Sequence, residues 1–431
     1  MINSYIFYEN NILKKRNFPK DITHLTLGND FNQEIKENVL PNSITHLTFG
    51  NNFNQEIKEN VLPNSITHLT FGNDFNQEIK ENVLPNSITH LTFGKYYNQK
   101  IKKNVLPNSV IYLIFGNDFN QEIKKNVLPN SVTHLTFHCN LKIKENVLPN
   151  SITHLTFHCN LKIKENVLPN SVIYLIFGND FNQEIKENVL PNSITHLTFY
   201  SNIKIKENVL PNSITHLTFH NNLKIKKNVL PNSITHLTLY SNLKIKENVL
   251  PNSITHLTFG YYYNQEIKEN VLPNSITHLT FGWRYNQKIK ENILPNSITH
   301  LTFGWCYDQE INENVLPNSI THLTFGNDFN QEIKENVLSN SITHLIFGCY
   351  YDQEIKENVL PNSITHLTFG GRFHGLLNNL PYGLKSLTLN TNYQSLTNLP
   401  ISLETLKIMF YIKTEDIKLP YGCILTHYFT R

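Results

Sequence analysis

From Pro63 to Phe71 the chain reads Pro-Asn-Ser-Ile-Thr-His-Leu-Thr-Phe, so that Leu69 and Phe71 alternate with His68 and Thr70. Apolar and polar residues alternating with period two mark a β-strand buried on one face, which places Leu69 and Phe71 inside and His68 and Thr70 outside. Ile66, three residues before Leu69, is out of step and predicts a bend as the chain enters the strand. The return segment from Phe75 to Leu84 offers Phe75, Ile79 and Leu84 to the interior. The proline that follows argues against a long helix there, because it lacks an N–H and restricts the residue before it. Extended or short-turn backbone is expected.

The unit is copied along nearly the whole chain, and its prolines measure the copies. All 19 prolines share one phase, from Pro19, Pro41 and Pro63 to Pro381, Pro400 and Pro420, and Ser339 stands where one more is due. The spacing is 22 residues towards both ends of the array, 20 over most of the middle and 19–20 in the last units. A repeat of this length cannot bury its apolar face alone, so successive copies must stack into one continuous core. The expected fold is therefore a β-rich repeat solenoid, a leucine-rich-repeat-like horseshoe with one parallel strand per 20–22-residue repeat and little helix. Residues 1–18 are expected to cap the first repeat, with Ile6, Phe7 and Ile12 as its apolar plug. Residues 19–372 form the regular array, and residues 373–431 carry divergent repeats and a C-terminal cap.

Glycine follows the strand in the 22-residue copies, as at Gly28, Gly50, Gly72, Gly260 and Gly282, and suggests a positive φ at that point. The 20-residue copies carry His138, His158, Tyr200, His220 and Tyr240 instead. They lack two loop residues, and the tighter turn is expected to dispense with glycine.

Composition narrows the function more than the fold. Basic and acidic residues number 37 and 34 and are interleaved, leaving no footprint for nucleic acid or an anionic membrane. No run approaches the roughly 20 apolar residues of a membrane span. The 5 cysteines form no spaced framework, which points to a reducing compartment, and the cytoplasm is the expected location. A monomer is expected.

Three groups of residues are candidates for chemistry. Histidine fills one outward strand position in 15 copies, among them His46, His68, His90, His256, His278 and His300, with Tyr112 and Tyr174 filling two gaps. Such a column reads as an exposed strand surface copied with the repeat, or as a coupled pH-sensitive or metal-binding ladder. Catalysis is not expected, because an active site needs a unique constellation whereas these residues recur in every copy. The pairs His138-Cys139 and His158-Cys159 fall on adjacent copies, but their side chains are expected to point apart, so no metal and no cofactor is assigned. The third group is the loop pair after the strand, which varies most: Tyr261-Tyr262, Trp283-Arg284, Trp305-Cys306, Cys349-Tyr350 and Gly371-Arg372 replace the Asn-Asp of other copies. Trp, Tyr and Arg dominate binding hot spots, so Tyr261, Tyr262, Trp283, Arg284, Trp305, Tyr350 and Arg372 are the candidate partner-binding residues.

The text Leu-Pro-x-Ser-Ile-Thr-x-Leu-x-Phe-Gly, with Phe31-Asn32-Gln33-Glu34-Ile35 and its copies, resembles the leucine-rich-repeat-like FNIP repeats of amoebae and of the giant viruses that infect them. Glu or Lys stands where the family motif has proline. The resemblance implies a non-enzymatic scaffold for protein–protein interaction, in the host cytoplasm if viral. Many family members carry an F-box that docks onto a ubiquitin ligase, which implies a substrate-recognition arm as an alternative. Only 18 residues precede Pro19, however, too few for such a module. A structural array without a dedicated ligand is the other alternative.

Overall fold

The computed structural model describes residues 3–8, 12–14, 18–19, 21–139, 142–221, 225–390, 396–409 and 417–427. The chain divides into two compact units, Met1–Ile214 and Thr215–Arg431. Each is a parallel β-solenoid of LRR-like turns, and the described residues contain no helix. In the first unit strands follow one another from Ser4–Phe7 and His24–Leu27 to His196–Phe199, each parallel to the next. In the second they run from His216–Phe219 to Ile424–His427.

Register follows the repeat residue for residue: His46 pairs with His68, Leu47 with Leu69 and Thr48 with Thr70. Identical side chains therefore lie over one another, and each column of the sequence becomes a ladder. Leu69 and Phe71 are buried and His68 is half-buried, as the alternation requires, and Ile66 is fully buried at the bend. Phe49 and Phe71 stack at 5.5 Å, while Phe53 and Phe75 make a second column at 6.1 Å. Burying each such ring contributes on the order of 2 kcal/mol.

Polar ladders hold the register. Asn32 Oδ1 accepts the Asn54 backbone N–H at 2.9 Å and the Gln55 side-chain amide at 3.0 Å, and Asn54 does the same for Asn76 and Gln77. This is the work of the Asn-Gln pair after each buried ring. Ser65 donates to the Ile44 carbonyl at 2.6 Å, again one turn back. Lys58 bonds Glu34 at 2.6 Å on the outside and holds that carboxyl below its usual range. Both groups are exposed, so such pairs add little to stability.

Two expectations, one about the backbone and one about the N-terminal end, need correction. The glycine column does not have positive φ; among the described glycines only Gly422 does. Glycine is required there because rungs pack glycine on glycine, and a Cβ on Gly50 would fall on the carbonyl oxygen of Gly28. The left-handed positions are asparagines instead: Asn38, Asn60, Asn82 and their copies, near φ +60° (Asn82, +62°), turn the chain into Val-Leu-Pro. Asparagine is among the few residues that adopt this conformation readily. At the N-terminus Phe7 is buried, but Ile6 and Ile12 are exposed at 46% and 58%. Ile6 lies on the outward phase of Ser4–Phe7, and Leu13 and Phe18 join Phe7 in the core instead.

Candidate functional site

The strand face carries the histidine column. Its rings stack face to face, 4.0 Å apart from His46 to His68 to His90 and 4.2 Å apart from His256 to His278 to His300. Nδ1 lies 2.8–2.9 Å from the hydroxyl of the preceding threonine, 2.9 Å in Thr67–His68 and Thr277–His278 and 2.8 Å in Thr133–His134. Where threonine also stands one rung back, its carbonyl accepts the threonine hydroxyl, 3.1 Å from Thr67 to Thr45 and 3.2 Å from Thr277 to Thr255. Partial burial, then neighbouring imidazoles, lower the pKa of His46, His68, His256 and His300 below the usual histidine value. Burial does the same for His90 and His278, each with a further contribution from a histidine two rungs away. Tyr112 and Tyr174 continue the column, stacking on His134 at 4.1 Å and on His154 at 4.4 Å.

Within each His-Cys pair burial differs, the histidine half-buried and the cysteine buried. His138 and His158 stack at 4.3 Å, and Cys139 and Cys159 are both buried beneath them. Stacked rungs repeat an orientation, so equivalent residues stay side by side. Burial pushes the Cys159 thiol up to about 12 and Cys139 higher still, which holds both protonated. No group of three or more ligating side chains that could hold a metal ion occurs among the described residues. Asn140, next to Cys139 in the sequence, lies outside the described residues.

The loop residues after the strand make a different surface, all of it within the second unit. Trp283 and Trp305 stack at 4.2 Å and 11°, and Tyr261 stacks on Trp283 at 5.7 Å. The Arg284 guanidinium lies 5.4 Å from the Tyr261 ring and 5.2 Å from Tyr262, and Arg372 lies 4.3 Å from Tyr350. These aromatic side chains are exposed: 58% at Tyr262, 40% at Trp283 and 39% at Trp305. The group is not continuous. The rung of Asn327-Asp328 separates Trp305-Cys306 from Cys349-Tyr350, and burial, then the Asp328 carboxylate, raises the pKa of the Cys306 thiol. Rings held against one another and against guanidinium groups lose less freedom on binding than isolated surface side chains.

One parallel strand per turn, a continuous apolar core and polar ladders between turns define the class as a leucine-rich-repeat-like β-solenoid. The FNIP Repeat family model matches residues 10–52, 53–96, 97–140, 119–160, 140–180, 160–202, 181–222, 200–241, 242–283, 285–328 and 329–372, and the chain belongs to that family. A crystal structure described as CroV588, a novel circular LRR protein structure, is similar at 52% identity. The match covers 98% of this chain and 71% of that one, with a TM-score of 0.68. The Drosophila Toll–Spatzle complex matches at 12% identity over 97% of this chain and 62% of that one, with a TM-score of 0.52, which shows a shared fold alone. No curated protein matches. None of these similarities indicates a catalytic family. Among the described residues no helix is long and apolar enough to cross a membrane.

Proposed function

We propose that the chain is a non-enzymatic scaffold that binds a protein partner through the aromatic and arginine residues on the loop edge of its second unit. The observation that carries this reading is the stack Tyr261–Trp283–Trp305, exposed on consecutive rungs and flanked by Arg284. Near-identical repeats present a uniform surface, so specificity has to come from columns where the copies differ, and this column differs with hot-spot residue types. The strand face is uniform by comparison and offers no differentiated acid–base pair. The scaffold is monomeric and cytoplasmic in this reading, in the host cytoplasm if the chain is viral, and needs no metal or cofactor.

The test is affinity capture with the full chain and with W283A/W305A from cells in which the protein is made. Loss of a specifically captured protein, with the circular dichroism spectrum unchanged, supports the proposal. Capture that survives the double substitution overturns it.

A further inference from the structure

The loop edge leaves the histidine column without a role. In the second unit eight histidines succeed one another without a gap, every adjacent pair 4.2 Å apart: His216, and after it the seven at 236, 256, 278, 300, 322, 344 and 366. Each Nδ1 of these seven lies 2.9 Å from the hydroxyl of Thr235, Thr255, Thr277, Thr299, Thr321, Thr343 or Thr365. Those hydroxyls in turn lie 3.1–3.3 Å from the threonine carbonyl one rung back. This chain accommodates a protonated ring: Nδ1–H donates to the threonine oxygen, and the threonine hydrogen goes to the carbonyl. Nε2, at the end of the ring farthest from the backbone, then carries the second hydrogen outward. The threonine anchors also keep adjacent Nε2 atoms parallel rather than convergent, a poor geometry for chelating a metal.

What faces these rings matters as much as the rings. From Thr215 to Thr368 the outward strand positions hold histidine, threonine and Ile346, with no Asp, Glu, Lys or Arg on any strand packed against another. Beyond the last histidine rung come Lys385, paired with Glu404 at 3.2 Å, and Lys407. Arg284, Asp328 and Arg372 lie on the neighbouring loop edge. No carboxylate of the face itself can neutralise a protonated column. Adjacent imidazolium rings 4.2 Å apart repel, so charging the column calls for anions from outside.

We propose that this histidine column is an acid-gated docking face for an acidic segment of a protein. A carboxylate accepts hydrogen bonds and cannot donate them, so it gains from a row of charged Nε2–H donors and finds no positive charge on a neutral column. Carboxylates laid along the column relieve the repulsion between imidazolium neighbours. Proton and peptide therefore bind cooperatively, and each raises the affinity for the other by the same factor. The face is separate from the Trp283–Trp305 edge, and its behaviour is independent of whether that edge captures a partner.

The experiment titrates the full chain with a synthetic oligoglutamate peptide by calorimetry at about pH 7.5 and about pH 5.5, two conditions that straddle the ordinary histidine pKa and leave the peptide ionised. The expected result is affinity at least about tenfold higher at the lower pH, with net proton uptake on binding. The H256Q/H278Q/H300Q variant, checked for a native circular dichroism spectrum, should lose that gain, whereas W283A/W305A should keep it. Should the triple substitution disrupt folding, NMR of the native chain replaces it: peptide must raise the imidazole pKa values of the column. Binding that is independent of pH, that takes up no protons, or that leaves the column's titration unmoved overturns the proposal.

Discussion

Gly50 lies over Gly28 so closely that a methyl group on Gly50 would fall on the Gly28 carbonyl oxygen. At Gly371 the nearest atom to such a methyl is Cys349 Sγ, at 3.5 Å, an ordinary contact. Gly50→Ala must push backbone against backbone and is expected to cost about 1–3 kcal/mol, the range for overpacking. Gly371→Ala is expected to be nearly neutral. Urea unfolding of the two variants checks the difference, and equal midpoints would contradict glycine-on-glycine packing.

Asn82 has φ +62° in the turn before Val83-Leu84-Pro85. Asn82→Ala places a less tolerant residue in the left-handed region and is expected to cost about 1 kcal/mol, whereas Asn82→Gly should be tolerated. The comparison is again a shift in denaturation midpoint.

Tyr307 occupies the buried ring column where Phe329 stands one rung later, and its hydroxyl has no hydrogen-bond partner. Burial raises its pKa above the usual phenol value. Tyr307→Phe removes a desolvated polar group without opening a cavity and is expected to stabilise the chain by about 1 kcal/mol. A lower denaturation midpoint for this variant would show that the hydroxyl has a partner after all.

The folded-state pKa values of His46, His68, His90, His256, His278 and His300 lie below the ordinary histidine value, chiefly through burial. The unfolded chain therefore binds more protons as the solution is acidified. The column's contribution to stability is fully present above about pH 6.5 and is lost as pH falls through the lowered folded-state values. Exposed carboxylates such as Glu34, held low by Lys58, act only at lower pH. Urea midpoints measured from about pH 8 downwards should be flat to near neutrality and fall below about pH 6.5. A midpoint constant to about pH 5 would contradict this.

The strands were legible because Leu69, Phe71 and their copies obey a period of two, and the proline phase counts the turns. What one repeat could not display was the constraint between repeats. The glycine column was visible as special, yet its cause is the rung beneath, a contact no single copy contains. Asn38 and its copies recur just before Val-Leu-Pro, and that fixed position was the available signal for the left-handed turn. It was hidden among many other asparagines. At the N-terminus the apolar content suggested a plug, but the phase of the strand decides which residues enter it, so Phe7 is buried and Ile6 is not. Trp283 and Trp305 could be assigned to one edge from their column; their ring stacking follows from in-register parallel packing.

The loop edge, and not the return side of the solenoid, is expected to meet a protein partner. A photo-crosslinking residue placed at Tyr262, on that edge, is to be compared with one at Glu313, exposed on the return segment. A crosslinked partner is expected from position 262, disappearing in the W283A/W305A background, and none from position 313. Equal crosslinking from both positions, or crosslinking from 313 alone, would contradict it.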